Sequence, residues 1–242
     1  MVNRWMKRLI PFAALMMLLS GCAVEGALDP KGPAAEKQFD LIMLTLGIMI
    51  LVLIVVFVLF FYALIRFRRK PGNDEIPEQI EGNHKLEITW TVIPIVLLLI
   101  IMIPTVITTF DLEEEAHAIE DSLHIRVVAK QFWWEFTYPD EGIVTAQEVY
   151  IPVNEKVTFE LTATDVQHSF WVPELAGKKD TNVGDKLVNY MYLEARETGV
   201  YKGKCAELCG EGHALMDFKV IVVEQDEYDA WLASQTPYYL SS

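Results

Sequence analysis

Two stretches of this sequence carry no charged side chain, Leu41 to Ile65 and Ile88 to Phe110. Each is long enough to cross a hydrocarbon core of about 30 Å as a helix, so a bilayer is the solvent both runs require. They predict a two-helix transmembrane hairpin with spans at 41–65 and 88–110. The loop between them, 66–87, holds Arg66, Arg68, Arg69, Lys70 and Lys85, whereas Asp111, Glu113, Glu114 and Glu115 follow the second run. Positive charge collects on the cytoplasmic side of a span. That bias places the loop in the cytoplasm and both ends of the mature chain outside. Pro94 and Pro104 would break a soluble helix, but neighbouring helices in a membrane can accommodate the freed carbonyls, and a bend is expected there.

Residues 1–21 read as a secretory signal, with Arg4, Lys7 and Arg8 ahead of an apolar core from Leu9 to Leu19. Leu19-Ser20-Gly21-Cys22 is similar to a bacterial lipobox. Cys22 would then be the lipidated first residue of the mature chain, and 22–40 an extracytoplasmic segment. A simple signal or a third span are the other readings of the same run. One lipid chain anchors only marginally, so the two spans must hold the protein among the membrane lipids.

What remains is one domain, 111–223, soluble from about Asp121, with a C-terminal helix and tail at 224–242. From Asp111 onward there are 25 acidic residues against ten basic ones, which excludes nucleic acid as a partner. Such a surface either steers a basic protein towards it or simply keeps the domain soluble. β-rich stretches recur at short spacing: Leu123 to Ala129, Phe132 to Tyr138, Glu148 to Ile151, Val157 to Ala163, Ser169 to Val172, Leu187 to Leu193, Val200 to Lys204 and Phe218 to Val223. Short strands punctuated by Gly, Pro, Asn and Asp predict an all-β sandwich or barrel. Tyr228, Trp231 and Leu232 predict a short helix over Glu224 to Ser234 packed on that domain.

Chemistry concentrates in Cys205-Ala206-Glu207-Leu208-Cys209-Gly210-Glu211-Gly212-His213-Ala214-Leu215-Met216. Thiolate and thioether are soft ligands that favour copper, whereas closed structural zinc sites use four Cys or His and have no use for methionine. A mononuclear blue copper site needs one cysteine, and this loop has two. Two thiolates can each bridge a pair of metals if a second imidazole arrives from elsewhere, for which His168 is the best candidate. A disulfide, a zinc clip or a redox switch are the other uses of two cysteines at this spacing.

The pattern Cys-x-Glu-x-Cys-x3-His-x2-Met, with His168-Ser-Phe-Trp-Val-Pro upstream and two spans before it, closely resembles subunit II of bacterial haem-copper cytochrome c oxidases. The resemblance implies a cupredoxin-like barrel or sandwich carrying a binuclear copper A centre of two Cu. In it Cys205 and Cys209 bridge both metals, His168 and Met216 complete one, and His213 with the backbone carbonyl of Glu207 completes the other. It implies no catalytic residue in this subunit. Electrons would come from cytochrome c and pass to a haem in subunit I, where oxygen is reduced to water. The partners are thus subunit I, the other oxidase subunits and cytochrome c, and the location is the bacterial plasma membrane with the copper domain on its extracytoplasmic face. Some members carry a fused cytochrome c domain with Cys-x-x-Cys-His; none follows here, and a separate donor is expected.

The resemblance assigns further roles. Phe132, Trp133, Trp134, Phe136 and Tyr138 form the densest aromatic cluster, and aromatics in strands ordinarily fill a core. In the family this segment receives electrons, and the position after Gln131 is usually tryptophan. Here it is Phe132, so that role falls on Phe132, Trp133 or Trp134. The Glu207 side chain would help bind magnesium, a hard cation suited to oxygen ligands, at the boundary with subunit I. Glu87 resembles the glutamate at the entrance of a proton path, or is an ordinary interfacial residue. Asp165 and Asp180 fall where cytochrome c docks. His84, His117 and His124 read as structural or exposed. Two rivals share these features: a membrane-anchored copper-binding or delivery protein, and the quinol oxidase branch, which keeps the fold but lacks the copper ligands.

Overall fold

A computed structural model describes residues 26–237, apart from 70–71, 73–75, 77, 80, 118–121 and 185–186. The expected signal segment 1–21 and the expected lipidation site Cys22 lie outside the described residues. The described residues begin with two long helices, α1 (Pro33–Arg66) and α2 (His84–His117). Ten strands follow: β1 (Leu123–Lys130), β2 (Trp133–Tyr138), β3 (Ile143–Ala146), β4 (Glu148–Pro152), β5 (Val157–Ala163), β6 (His168–Trp171), β7 (Lys179–Thr181), β8 (Asn189–Leu193), β9 (Gly199–Cys205) and β10 (Asp217–Val223). A single 3-10 turn, His213–Leu215, precedes β10, and α3 (Gln225–Ser234) closes the described chain.

Both long helices have 34 residues, about 51 Å at 1.5 Å per residue. That exceeds the hydrocarbon thickness of about 30 Å. The charge-free runs mark the parts that suit lipid, and the helices continue beyond them because nothing in Pro33 to Asp40 or Asp111 to His117 stops a helix. Pro33 even opens α1 at its first turn, where its missing N–H costs nothing. Helix α2 continues through Pro94 and Pro104. Along it Thr89, Thr91, Thr105 and Thr109 donate their hydroxyls to carbonyls four residues back, at 2.7–2.8 Å, which satisfies those groups without water. The apolar side chains from Ile50 to Ile65 and from Trp90 to Val96 are exposed, a surface for lipid or for other subunits.

The strands form two five-stranded sheets, ordered β3-β2-β1-β5-β8 and β4-β10-β9-β6-β7. Pairs β1–β5 and β4–β10 are parallel and the rest antiparallel. This is the cupredoxin-like sandwich expected of the sequence. Alternate residues face inward, as the pleat requires: Ile125, Val127 and Ala129 from β1, and Phe218, Val220 and Val222 from β10. At the centre Phe170 stacks on Phe218 with ring centroids 4.5 Å apart, and Trp134 stands edge-on to Phe170 at 5.5 Å. Gly203 makes that stack possible, because a Cβ there would lie 2.1 Å from the Phe218 ring. Strands β3 and β7 went unforeseen, being edge strands of four and three residues whose form comes from pairing with β2 and β6 rather than from composition.

The outer ends of the helices are built into the sandwich. Ala34, Ala35 and Ala116 are buried. Lys31 N–H donates to Glu174 O at 2.7 Å, Ala35 N–H to Leu175 O at 3.2 Å, and Arg196 N–H to Lys31 O at 3.0 Å. Ion pairs Lys37–Glu115, Lys179–Glu113 and Arg196–Glu36 ring the junction, each worth little alone because it faces water. The closest approach is at Gly32, where a Cβ would sit 2.1 Å from the Glu194 carbonyl oxygen. Gly32→Ala should therefore cost about 1–3 kcal/mol, the usual penalty of overpacking, and lower the midpoint of thermal unfolding measured in detergent. Lys179 beside Glu113, with His117 adding less, holds the Glu113 carboxyl below its ordinary value of 4.5 against the opposing effect of burial. A depressed carboxylate lends its stability above the unfolded value and loses it as pH falls through the folded one. Protection factors of the junction amides, taken relative to the intrinsic exchange rate at each pH, should thus be constant at neutral pH and fall below about pH 4.5.

Candidate metal centre

Three loops meet at one end of the sandwich. His168 is the first residue of β6 and Cys205 the last of β9, and the two strands pair with Phe170 opposite Cys205. The β9–β10 loop leaves at Cys205 and returns at Met216, closed by a Cys205 N–H to Met216 O hydrogen bond of 3.0 Å. Within it His213 N–H donates to Gly210 O at 3.1 Å, and Ala206 N–H donates to Ser169 O at 2.9 Å. The β1–β2 turn, Gln131-Phe132, lies across this loop.

The expected donor atoms converge. Cys205 Sγ lies 3.8 Å from Cys209 Sγ, 3.9 Å from His168 Nδ1 and 3.2 Å from the carbonyl oxygen of Glu207. Cys209 Sγ lies 3.7 Å from His213 Nδ1 and 3.8 Å from Met216 Sδ. His168, Cys205, Cys209 and Met216 are buried, while His213 is half-buried at the rim. The two thiols are free, and 3.8 Å is far beyond a disulfide bond of about 2.05 Å. Donors held about 2.0–2.3 Å from one tetrahedral metal stand roughly 3.3–3.8 Å from one another, close to the spacing seen here. Six donors including two thiols exceed what one tetrahedral ion takes, so the set fits a pair of thiolate-bridged soft metals.

The surroundings tune these donors. Burial, reinforced by the neighbouring Cys205 thiol, pushes Cys209 up to about 11, so in the metal-free protein it is a thiol and must shed its proton to bind a metal. His168 presents Nδ1 to the sulfurs because its Nε2 is held by Asp165 Oδ1 at 2.9 Å, the carboxylate–imidazole arrangement that orients metal-binding histidines. Burial raises the Asp165 carboxyl, but hydrogen bonds from His168, Gln131 N–H and Val166 N–H outweigh it and hold it below the ordinary range. Asp165 is thus a support for His168, a role the sequence did not disclose. Gln131, unnoticed in the sequence except as a neighbour, donates its side-chain amide to Cys209 O at 2.6 Å.

The other candidate residues are scattered. The Phe132 ring lies against the loop, 2.5 Å from where a Cβ on Gly212 would be and 3.1 Å from one on Gly210. Trp133 points to the other face of β2, with Lys130 Nζ 4.6 Å above its ring. Trp134 is wholly buried, edge-on to His168 at 6.1 Å, with its indole N–H 3.4 Å from Met216 O. It can link the site to the core but cannot touch a partner. The Glu207 side chain is exposed, as are Leu208 and Leu215 on the same loop. Asp180 lies on β7 and accepts from Gln167 Nε2 at 3.0 Å. Glu87 sits in the first turn of α2, far along the helix from the sandwich, 3.8 Å from His84. His117 Nε2 lies 3.3 Å from Glu113 and His124 Nε2 3.4 Å from Glu160.

Fold and donors define a class: a membrane-anchored, cupredoxin-like domain with a cysteine-rich site for soft metal. Residues 141–225 match the family model for the cytochrome c oxidase subunit II periplasmic domain, and 26–107 match its transmembrane domain. A cytochrome c oxidase subunit 2 of Alkalihalophilus pseudofirmus is 54% identical over 93% of this chain and 67% of its own length. A quinol oxidase subunit 2 of Bacillus subtilis is 37% identical over 95% of this chain and 73% of its own. Among solved structures, the periplasmic domain of cytochrome oxidase subunit II of Bradyrhizobium japonicum is 31% identical over 48% of this chain and 94% of that one, with a TM-score of 0.45. The chain belongs to the cytochrome c oxidase subunit II family.

Because Gly212 leaves no room for a side chain beneath Phe132, Gly212→Ala should displace either the ring or the 3-10 turn carrying His213. The metal-free protein should stay folded by circular dichroism, while its copper affinity falls about tenfold or more, as for other disturbances around metal ligands.

Proposed function

We propose that this chain is the electron-accepting subunit of a respiratory cytochrome c oxidase. In that reading it takes electrons from cytochrome c on the extracytoplasmic face and passes them to a haem in subunit I, where oxygen becomes water. The observation that carries the reading is the convergence of His168, Cys205, the Glu207 carbonyl, Cys209, His213 and Met216 at one end of the sandwich. Two thiolate-bridged coppers held there would supply one-electron storage shared between both metals, with little change of geometry.

The protein's own part is to hold the donors still. Cys205 and Cys209 would be the thiolates shared by the pair, with His168 and Met216 holding one side and His213 and the Glu207 carbonyl the other. Buried His168 and Met216 keep water away, so few solvent dipoles must turn when charge arrives. Asp165 keeps Nδ1 of His168 aimed at the sulfurs. Exposed Leu208 and Leu215, with the edge of Phe132, give an apolar surface beside the site for a protein partner, and the acidic domain steers a basic donor towards it. Asp180 contributes to that docking. The Glu207 carboxylate, exposed next to its own ligating carbonyl, suits a magnesium ion at the boundary with subunit I. Glu87, at the opposite end of α2, suits a proton path on the cytoplasmic side.

Quinol oxidase relatives are the more distant match, and the filled donor set favours copper over that branch. Copper delivery would need no catalytic partner, so co-purification of haem-bearing subunits separates it from the oxidase reading.

Electron paramagnetic resonance with copper analysis on the purified chain tests the centre. The expected result is two coppers per chain sharing one unpaired electron, with the signal lost in Cys205→Ser and Cys209→Ser. One localised copper, or none, would remove the oxidase reading. Docking is tested by Asp180→Asn, which should raise KM for a basic cytochrome c a few-fold at low salt and converge with the parent at high salt, where charges are screened. Asp165 is unsuited to that test because its carboxylate holds His168.

A further inference from the structure

We propose that Gln131 is a positioning residue that clamps the two halves of the metal site together. The inference rests on the copper reading above and goes beyond it, since Gln131 donates no ligand atom.

The site is assembled from pieces with no covalent reason to keep register. His168 comes from the start of β6 and the remaining donors from the β9–β10 loop, both in the sheet β4-β10-β9-β6-β7. Gln131 belongs to the β1–β2 turn of the opposite sheet. Its main-chain N–H donates to Asp165 Oδ2 at 2.6 Å, and the other oxygen of that carboxylate holds His168 Nε2 at 2.9 Å. Its side-chain Nε2 donates to the carbonyl of Cys209 at 2.6 Å. One residue therefore fixes an imidazole ligand through one arm and a bridging thiolate's backbone through the other. Asp165 Oδ1 also accepts Val166 N–H at 2.7 Å, so the carboxylate is held by three hydrogen bonds.

The loop has few other ties across the sheets. Its remaining bonds run within itself or to Ser169 of its own sheet, and the Trp134 indole reaches Met216 O only at 3.4 Å. A Cβ at Gly210 would come within 3.0 Å of Gln131 Nε2, so the glycine after Cys209 lets the amide approach. Gln131 also sets Phe132 over Gly210 and Gly212, which makes clamp and cover a single turn.

The two arms are separable by substitution. Gln131→Met keeps the main-chain N–H and the length of the side chain but removes the amide donor, and Gln131→Glu replaces it with an acceptor facing a carbonyl. Asp165→Ala cuts the other arm. In the full-length chain in detergent, loaded with copper, Gln131→Met and Gln131→Glu should speed copper loss to excess copper(I) chelator about tenfold to a hundredfold, the usual cost of losing support around a metal ligand. Hyperfine-shifted proton resonances of the Cys209 methylene should move while those of the His168 ring hold, and Asp165→Ala should show the reverse. In the metal-free chain, amides of 206–216 should exchange faster in the Gln131 variants.

Unchanged copper loss with unmoved resonances overturns the clamp, and so does a fall in thermal stability with neither readout altered, which marks a merely structural residue. A parent chain that binds no copper pair overturns the proposed function instead. The exchange measurement on metal-free protein then still decides whether Gln131 orders the loop.

Discussion

The antiparallel pairing of β6 with β9 is the contact on which the site depends. It puts Phe170 opposite Cys205, and so delivers His168, two residues before Phe170, to the mouth of the loop that begins at Cys205. The pairing is held from within by the Phe170–Phe218 stack, which needs the bare Gly203 of β9 to lie flat. Core packing and donor geometry are thus one problem: a larger residue at 203 would push Phe218 off Phe170 and, through β6, carry His168 away from the sulfurs. The buried thiols, 3.8 Å apart, pack at the edge of the core as small apolar groups, beside a dense aromatic centre of Trp134, Phe136, Phe159, Phe170 and Phe218.

Much of this was legible in the sequence, for identifiable reasons. The spans announced themselves by the lack of charge, and strands such as Val157–Ala163 by β-branched alternation that a half-buried strand must show. The ligand loop was legible because soft donors at close spacing have few other uses, and its distant partner His168 was already the candidate imidazole before the family resemblance assigned it to one of the two metals. Edge strands β3 and β7 were not legible, since three or four residues form a strand only when a neighbour offers its hydrogen bonds. Nor were the supports of the site: Asp165 was read as a docking carboxylate and Gln131 only as the residue before Phe132, because hydrogen bonds across 34 and 78 residues of chain leave no local pattern. Trp134 illustrates the same limit, being one aromatic among several in sequence and the buried neighbour of His168 in space.

The acidic character of the domain also acquires a location. Five of its cations sit on fixed acidic partners: Lys179 and Arg196 at the helix junction, Arg126 on Glu160, Lys130 on Glu135, and Lys219 on Glu148. The acidic excess is left to face solvent, where it acts over the range set by salt. Around the ligand loop the surface changes character, with Leu208 and Leu215 among the most exposed apolar side chains of the domain. Long-range charge can bring a partner near, and a small apolar rim can then hold it at the one place where the metal site approaches the surface.

The junction between α1 and the sandwich bears on how such a chain can vary. Lys31 and Ala35 are hydrogen-bonded to the β domain, and from Pro33 the helix runs unbroken into the apolar span. A regular helix turns about 100° and climbs about 1.5 Å with every residue. The domain is therefore keyed to the span like a bit to the shaft of a key. One residue added or removed between Glu36 and Asp40 would swing the ligand loop roughly a quarter turn about the helix axis relative to the lipid-facing side of the span. Substitution in that stretch is a matter of local packing, but a change in its length re-aims the whole domain.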